Sequence, residues 1–168
     1  MLVAGLPPIA GPDARVLILG SMPGRKSLAE ERYYVGRGNR FWPVMGSLLD
    51  FDPGLPYDQC VNALRGAGIA LWDVLRSCAR KDSLDSSIVR GTEVLNGFSA
   101  FLDEHSGLRA FAFNGQTAFK AFRRADGLVL LKTEKLEVLP LPSTSGVNTH
   151  ATEEVLVERW RAVLRCLK

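Results

Sequence analysis

The chain has 168 residues, of which 46% are hydrophobic and 23% charged, and its formal net charge is +3. Its length predicts a single domain over residues 1–168, and its apolar content suffices for a full core, which excludes an intrinsically disordered chain. The small positive charge permits a polyanionic partner only where basic residues cluster. The cysteines lie far apart and without metal-binding spacing, so we expect no metal ion, no cofactor and a reducing, cytoplasmic environment. No apolar run is long enough to cross a membrane, and the amino-terminal residues lack the basic start of a signal peptide.

Short apolar runs and helical patterns alternate along the chain. Apolar runs predict strands at residues 15–20, 68–75, 108–115 and 136–142. Apolar residues at helical spacing predict helices at residues 41–49, 57–65, 92–103, 116–124 and 153–167. The sequence VLLK at residues 129–132 predicts an additional edge strand. Because strands alternate with helices, we expect an α/β fold in which a parallel sheet has helices on both faces.

In sheets of this kind, ligands bind beyond the carboxyl ends of the strands. Small or polar residues directly follow each predicted strand, in GSMPG at 20–24, LWDVL at 71–75, FNG at 113–115 and LPSTSGVNTH at 141–150. Taken alone, GSMPG is best interpreted as a plain turn, because glycine and proline are common in turns. Together, the four loops predict the rim of a ligand pocket.

Residues 33–42, YYVGRGNRFW, combine aromatic rings with glycines, arginines and an asparagine. We expect Phe41 and Trp42 to enter the core at the start of a helix. The GRG segment at 36–38 is too flexible and too polar for a core, and it can approach a ligand closely. An aromatic ring beside that segment is suited to stacking on a nucleic-acid base, which contributes about 1–3 kcal/mol.

Asn114 lies at the predicted end of a buried strand, and two interpretations of it stay open. It is a turn-forming asparagine before Gly115, which is a common arrangement, or its amide reads the edge of a base. An amide can accept from a base N–H and donate to the neighbouring carbonyl. Uracil and hypoxanthine present that pair of groups, whereas adenine does not.

The hydroxyl-rich loop PSTSG, at residues 142–146, also allows two interpretations. It belongs to the cap of the following helix, with Thr149 or Thr152 as the capping residue, or its hydroxyl and backbone N–H groups hold a phosphate. In KDSLDSS at 81–87, we expect Asp82 and Asp85 to form a turn and a helix cap rather than a carboxylate pair.

These motifs, in this order, resemble the uracil-DNA glycosylase superfamily, and within it the hypoxanthine-DNA (deoxyinosine) glycosylase family. The resemblance covers nearly the whole chain, through LILGSMPG, YY followed by NRFWPVMG, LWDVL, SLDSSI, FNG and LPSTS. It implies a three-layer α/β/α sandwich with a short, mainly parallel four-stranded sheet. It also implies a monofunctional DNA glycosylase that flips a deaminated base out of DNA and hydrolyses its N-glycosidic bond.

The resemblance implies roles for individual residues. Met22 occupies the place where related mismatch glycosylases carry a catalytic asparagine. The similar family instead places its key asparagine before the Phe-Trp pair, which is Asn39 here, so Asn39 would be the catalytic residue that positions the attacking water. Tyr34 would stack on the flipped base, and Asn114 would read its edge. The backbone N–H groups expected to stabilise the departing base belong to Gly20, Ser21 and Met22. The residues expected at the DNA surface are Arg25, Lys26, Arg37, Arg40, Ser143, Thr144, Ser145 and Gly146.

Two departures from the family pattern leave the substrate open. The family usually shows HPRN where this chain has GRGN, at 36–39, and Pro-Ala after STS where this chain has Gly146 and Val147. The GRGN sequence is more similar to the uracil and thymine mismatch glycosylases. The hypotheses are therefore excision of hypoxanthine, excision of uracil or of G·U and G·T mismatched bases, and a catalytically silent α/β module that binds nucleotide or nucleic acid. The expected partner is duplex DNA, with single-stranded DNA as a second form, for a monomer at the nucleoid of a bacterial-type cytoplasm.

Overall fold

The computed structural model describes residues 1–168, which form seven strands, eight α-helices and one short 3-10 helix at Asp85–Ser87. The strands are β1 (Leu2–Ala4), β2 (Val16–Gly20), β3 (Ile69–Asp73), β4 (Leu75–Ala79), β5 (Val94–Leu95), β6 (Ala110–Asn114) and β7 (Glu137–Leu141). The α-helices are α1 (Arg25–Glu30), α2 (Phe41–Leu49), α3 (Tyr57–Ala67), α4 (Phe98–Glu104), α5 (Gln116–Arg124), α6 (Gly127–Thr133), α7 (Glu153–Trp160) and α8 (Ala162–Cys166). None of these helices combines the length and the apolar character that a membrane crossing requires.

The central element is a parallel sheet in which the strands follow the order β3, β2, β6, β7. Strand β2 lies inside it, between β3 and β6, and all its residues are buried, as expected of a strand that is covered on both faces. Because side chains alternate along a strand, Ile18 contributes to one core cluster and Leu17 and Leu19 contribute to the other.

Helices cover both faces of this sheet and so complete three layers. The first core cluster packs α2, α3, α7 and α8 against the sheet, with Phe41 and Trp160 among its largest members. The second packs α4, α5 and α6 against the opposite face, with Phe98 and Phe122 at its centre. The predicted fold class, an α/β/α sandwich around a short parallel sheet of four strands, is confirmed.

The structure contains a second, antiparallel sheet that the sequence does not predict, with the order β1, β4, β5. The predicted strand at 68–75 therefore divides at Val74, because β3 belongs to the parallel sheet and β4 to the antiparallel one. Within the predicted helix at 92–103, Val94 and Leu95 form β5 instead, and α4 begins only after Gly97.

The predicted edge strand at 129–132 is wrong, since these residues lie inside α6. Leu131 is fully buried in the second core cluster, whereas Val129 is 64% exposed. A short apolar run does not by itself distinguish a strand from a buried helix. The other predicted helices are present, although the one at 153–167 is divided at Arg161 into α7 and α8.

Candidate active site

A cavity of about 630 Å³ opens at the carboxyl edge of the parallel sheet. The strand pairing sets Gly20 beside Asp73 and Asn114 beside Leu141 at this edge. All four loops that the sequence predicts at a pocket rim contribute residues to the cavity. Its volume lies within the range of about 300–1,000 Å³ that is typical of small-molecule sites. Asn39, Tyr34 and Asn114 line this one cavity.

The amide of Asn39 is held by two hydrogen-bond donors. Its Oδ1 accepts from the backbone N–H of Phe41 and from the hydroxyl of Thr144, each at 2.9 Å. A backbone N–H can only donate, so the atom that it contacts must be the oxygen. Both lone pairs of this oxygen are then engaged, and the Nδ2 group is the part of Asn39 that is left for a ligand.

Thr144 connects Asn39 to Asn114. The backbone N–H of Thr144 donates to Asn114 Oδ1, and Asn114 Nδ2 donates to Thr144 Oγ1, both at 2.9 Å. Because this hydroxyl accepts from Asn114, its single proton is directed to Asn39. The three side chains form one directed series of hydrogen bonds, which we call the Asn–Thr–Asn chain.

This geometry differs from the predicted role of Asn114. The N–H and the hydroxyl oxygen of Thr144 belong to one residue, so they contact the same edge of the Asn114 amide. At this edge the amide oxygen and one amide N–H lie side by side. They are the acceptor and donor that we predicted from the sequence to bind a base. Asn114 keeps one further N–H and one further lone pair, but these point to opposite sides of the amide group.

Thr144 also departs from its predicted place at the DNA surface. It is fully buried, and both its N–H and its hydroxyl are used inside the protein. In the same loop, the Ser143 and Ser145 hydroxyls accept from the N–H groups of Ser145 and Val147, at 3.2 and 3.3 Å. The loop is therefore ordered by its own hydroxyl groups, and Gly146 and Val147 are its exposed residues.

Tyr34 has a backbone conformation that residues other than glycine rarely adopt, with a φ of 58°. Such conformations cost about 1–3 kcal/mol and are concentrated at functional sites. Its ring is stacked on Phe41, with centroids 4.1 Å apart and planes inclined by 27°. One face of the ring is thus covered, and the ring lies at the cavity. Burial, reinforced by the charge of Asp73, raises the pKa of Tyr34 far above its usual range, so the phenol stays neutral.

The side chains of the GSMPG loop turn away from a ligand. The Ser21 hydroxyl donates to Asp85 Oδ1 at 2.6 Å, and Met22 packs in the second core cluster. The N–H groups of Ser21 and Met22 donate to no backbone carbonyl, and both residues line the cavity. What this loop can offer to a ligand is therefore its backbone N–H groups.

Asp73, inside LWDVL, is a site residue that the sequence interpretation missed. It is only 3% exposed and it lines the cavity. Burial raises the pKa of its carboxyl from 3.8 to about 7; the charge of Asp85 acts in the same direction, and the guanidinium of Arg80 acts against both. A Cβ at Gly20 would lie 2.5 Å from Asp73 Oδ1, so the glycine makes room for this side chain. The available signal was an acidic residue at the end of an apolar strand.

Arg40, predicted at the DNA surface, is used inside the protein. Its Nη2 donates to the carbonyl of Asn148 at 2.7 Å, and its Nη1 donates to the carbonyl of Ala151. Arg40 therefore fixes the loop after β7 against the segment before α2. The exposed members of the predicted basic set are Arg25, Lys26 and Arg37.

The loops at 36–39 and 143–148 meet through two glycines. A Cβ on Gly146 would lie 3.0 Å from the carbonyl oxygen of Gly38 and 3.2 Å from that of Arg37. Gly38 itself has a φ of 75°, which favours glycine. The two departures from the family pattern, GRGN at 36–39 and the Gly146–Val147 pair, therefore lie on loops that contact each other, and the glycines allow the close approach of these loops.

Comparison with known proteins agrees with this architecture. The profile of the Uracil DNA glycosylase superfamily matches residues 7–164. The chain belongs to this superfamily. The Hypoxanthine DNA glycosylase of Methanosarcina acetivorans is 32% identical over 166 residues, which cover 98% of this chain and 99% of that protein. The protein of the same name from Methanosarcina barkeri (strain Fusaro) is 32% identical over 145 residues, which cover 86% and 87% of the two chains.

A solved structure is similar to the present chain over nearly the whole length of both proteins. It is a solution NMR structure of a candidate uracil DNA glycosylase from Methanosarcina acetivorans, with a TM-score of 0.81 and 31% identity over 99% of both chains. The resemblance that the sequence motifs predict, to the superfamily and to its hypoxanthine-DNA glycosylase family, is confirmed.

The Asn–Thr–Asn chain predicts that Thr144→Val lowers the rate of base release by about 10²-fold, because valine keeps the shape of threonine but removes one of the two donors that hold the Asn39 oxygen. Thr144→Ser keeps the hydroxyl and should stay close to wild type. Thr133→Val, at an exposed position of α6, is the matched control. The measurement is single-turnover base release from damaged duplex DNA. A Thr144→Val rate equal to that of wild type would refute the positioning role.

The contact between the two glycine loops predicts that Gly146→Ala also slows base release, because its methyl group would force the loops apart. Gly66→Ala, in α3, is the control, since a Cβ there would contact nothing within 4 Å and alanine favours a helix. The same single-turnover assay compares the two variants. Equal activity of both would show that the loops do not need their close approach.

Proposed function

We propose that this protein is a monofunctional DNA glycosylase that excises hypoxanthine from deoxyinosine sites in duplex DNA. The Asn–Thr–Asn chain is the observation that carries the proposal, because it fixes an uncharged amide beside an aromatic ring in one cavity. The choice of base is supported by the two relatives named hypoxanthine DNA glycosylase, each 32% identical to this chain.

In the proposed reaction, Asn39 positions the attacking water. Its Oδ1 is engaged by two donors, so Nδ2 donates to the water oxygen and leaves the other lone pair of the water for C1′ of the deoxyribose. A neutral amide is a poor general base, and its contribution is therefore orientation.

The departing base takes the electron pair of the glycosidic bond while the water oxygen forms the new bond to C1′. The proton that the water loses passes to the departing base, so the products are the free base and the C1′ hydroxyl. The N–H groups of Ser21 and Met22 donate to no backbone carbonyl and belong to cavity-lining residues, so they are available to stabilise the negative charge that develops on the base. Tyr34 stacks on this base. Its neutral phenol adds no charge that would oppose the developing anion.

The loop after β7 is proposed to open the duplex. Val147 is 69% exposed and lies at the cavity, so it can fill the gap that the flipped nucleotide leaves in the stack. Arg37 and the N–H of Gly146 lie on the adjoining exposed segments and suit phosphate contacts. That the protein acts as a monomer on cytoplasmic, nucleoid DNA stays a prediction.

Uracil is the second candidate base. The GRGN sequence favours it, and the cavity has room for either base. A catalytically silent module remains the alternative from another class, because Met22 replaces the asparagine of the related mismatch glycosylases.

A lesion panel tests the proposed reaction. We expect wild type to release hypoxanthine fastest among deoxyinosine, G·U and G·T duplexes. Asn39→Asp should lose about 10²–10³-fold in rate, because a carboxylate cannot donate to the water. Asn62→Asp, at an exposed position of α3, is the control. If residue 39 acts as a general base instead, Asn39→Asp will be as fast as wild type or faster. A wild-type protein that binds DNA but releases no nucleobase would support the catalytically silent module.

If Val147 fills the gap that the flipped nucleotide leaves, its substitution should affect the rate of base release on duplex DNA but not on single-stranded DNA. Val147→Ser should lower the rate on duplex DNA by about tenfold, because the vacated stack is no longer filled, and should leave the rate on single-stranded DNA unchanged. Val129→Ser, at a similarly exposed position of α6, should affect neither. An equal loss of rate on both DNA forms would show that Val147 does not act by filling the vacated stack and would indicate a role in base binding.

A further inference from the structure

Asn114 cannot bind the edge of the base through a paired acceptor and donor, because Thr144 already occupies the edge of its amide where the oxygen and an N–H lie side by side. The cavity therefore needs another side chain that recognises the base. Hypoxanthine presents N1–H and O6 side by side, so a reader must combine one acceptor and one donor at short separation. Among side chains, amides and neutral carboxylic acids have this combination. Asp73 is the buried carboxyl at the inner end of the cavity.

The Asp73 carboxyl is both buried and unpartnered. The residue is 3% exposed, and its Oδ2 accepts no hydrogen bond. A Cβ at Gly20 would lie 2.5 Å from Asp73 Oδ1 and 3.1 Å from the hydroxyl of Tyr34, which lies close to the Asn114 side chain. Buried polar groups are normally hydrogen-bonded, so the unpartnered carboxyl beside Gly20 indicates a place for polar atoms of a ligand.

No salt bridge neutralises this carboxyl. The nearby guanidinium of Arg80 donates through Nη2 to the carbonyl of Pro23, and it forms no ion pair with Asp73. Its buried Nη1 has no hydrogen-bond partner, and its positive charge lowers the pKa of Asp73. Asp85 adds negative charge, although its Oδ1 accepts from Ser21. The other titratable groups that face Asp73 are the phenols Tyr33 and Tyr34, whose pKa values are raised by burial so that both stay neutral.

These surroundings favour the uncharged acid at a pH below about 7. With Arg80 the only opposing influence, burial and Asp85 raise the pKa of Asp73 to about 7. A neutral carboxyl carries one O–H donor beside one carbonyl acceptor, whereas the carboxylate carries acceptors only.

We propose that Asp73, as a neutral carboxylic acid, is the residue that reads the excised base, accepting from N1–H of hypoxanthine through one oxygen and donating to O6 through the other. This inference rests on the proposed function and deepens it. The hydrogen bond to O6 strengthens as negative charge develops on the departing base, so the same contact that recognises the base also favours its release. The proton stays on Asp73 throughout, and the carboxylate form would place a negative charge against O6 and repel it.

The proposal is tested by the pH profile of single-turnover hypoxanthine release between about pH 5.5 and about pH 9. Wild type should be fully active below the pKa of Asp73 and should lose about tenfold for each pH unit above it. Asp73→Asn supplies a donor and an acceptor that do not titrate, so its profile should be flat and it should exceed wild type at the alkaline end. Asp73→Leu removes the pair and should lose about 10²-fold or more at every pH.

A second variant separates recognition from a purely structural role. The charge of Asp85 raises the pKa of Asp73, so Asp85→Asn should move the midpoint of the wild-type profile to lower pH. Thermal unfolding of each variant at about pH 6 verifies that it is folded.

Parallel profiles for wild type and Asp73→Asn, or a midpoint unmoved by Asp85→Asn, would overturn the assignment to Asp73 while leaving the glycosylase proposal intact. A wild type that releases no base at any pH would instead overturn the proposed function, and the role of Asp73 with it.

Discussion

The hydrogen bonds from Asn114 through Thr144 to Asn39 join three segments that are far apart in the sequence: the end of β6, the loop after β7 and the turn before α2. Their direction is fixed at both ends by backbone N–H groups, of Thr144 at one end and Phe41 at the other. Each amide therefore has one orientation only. The rest of the site depends on this constraint, because it decides which atoms of Asn39 and Asn114 remain for DNA.

Most of the side chains that we propose to act on the base are uncharged. Tyr34 is a neutral phenol, Asn39 and Asn114 are amides, and the pKa of Asp73 is raised to about 7. In a buried place, charges that lack partners are costly, whereas neutral donors remain strong because water does not compete. Such neutral donors suit a reaction in which an anion departs, since their hydrogen bonds gain strength as charge develops.

Much of the fold follows from local patterns, and less of the site does. The runs VLILG and AFAFN predict buried strands because apolar side chains fill both faces, and the motif order predicts which loops meet. The burial and the hydrogen-bond partners of single polar side chains depend on contacts between distant segments. Thr144 is buried by its pairing with Asn114, and Arg40 is drawn inward by the carbonyls of Asn148 and Ala151. Neither outcome can be read from neighbours in the sequence, and the same holds for the acidity of Asp73.

The central claim is that the cavity holds a flipped base while the Asn–Thr–Asn chain keeps Asn39 oriented. The most direct measurement is a crystal structure of the protein on a duplex whose deoxyinosine carries a 2′-fluorine, which slows cleavage. The account predicts hypoxanthine stacked on Tyr34, with the Asn39 oxygen still bound to Thr144 and its Nδ2 group facing a water near C1′. A base that remains in the helix while the loop after β7 is inserted into the duplex, or an Asn39 amide that has turned away from Thr144, would contradict it.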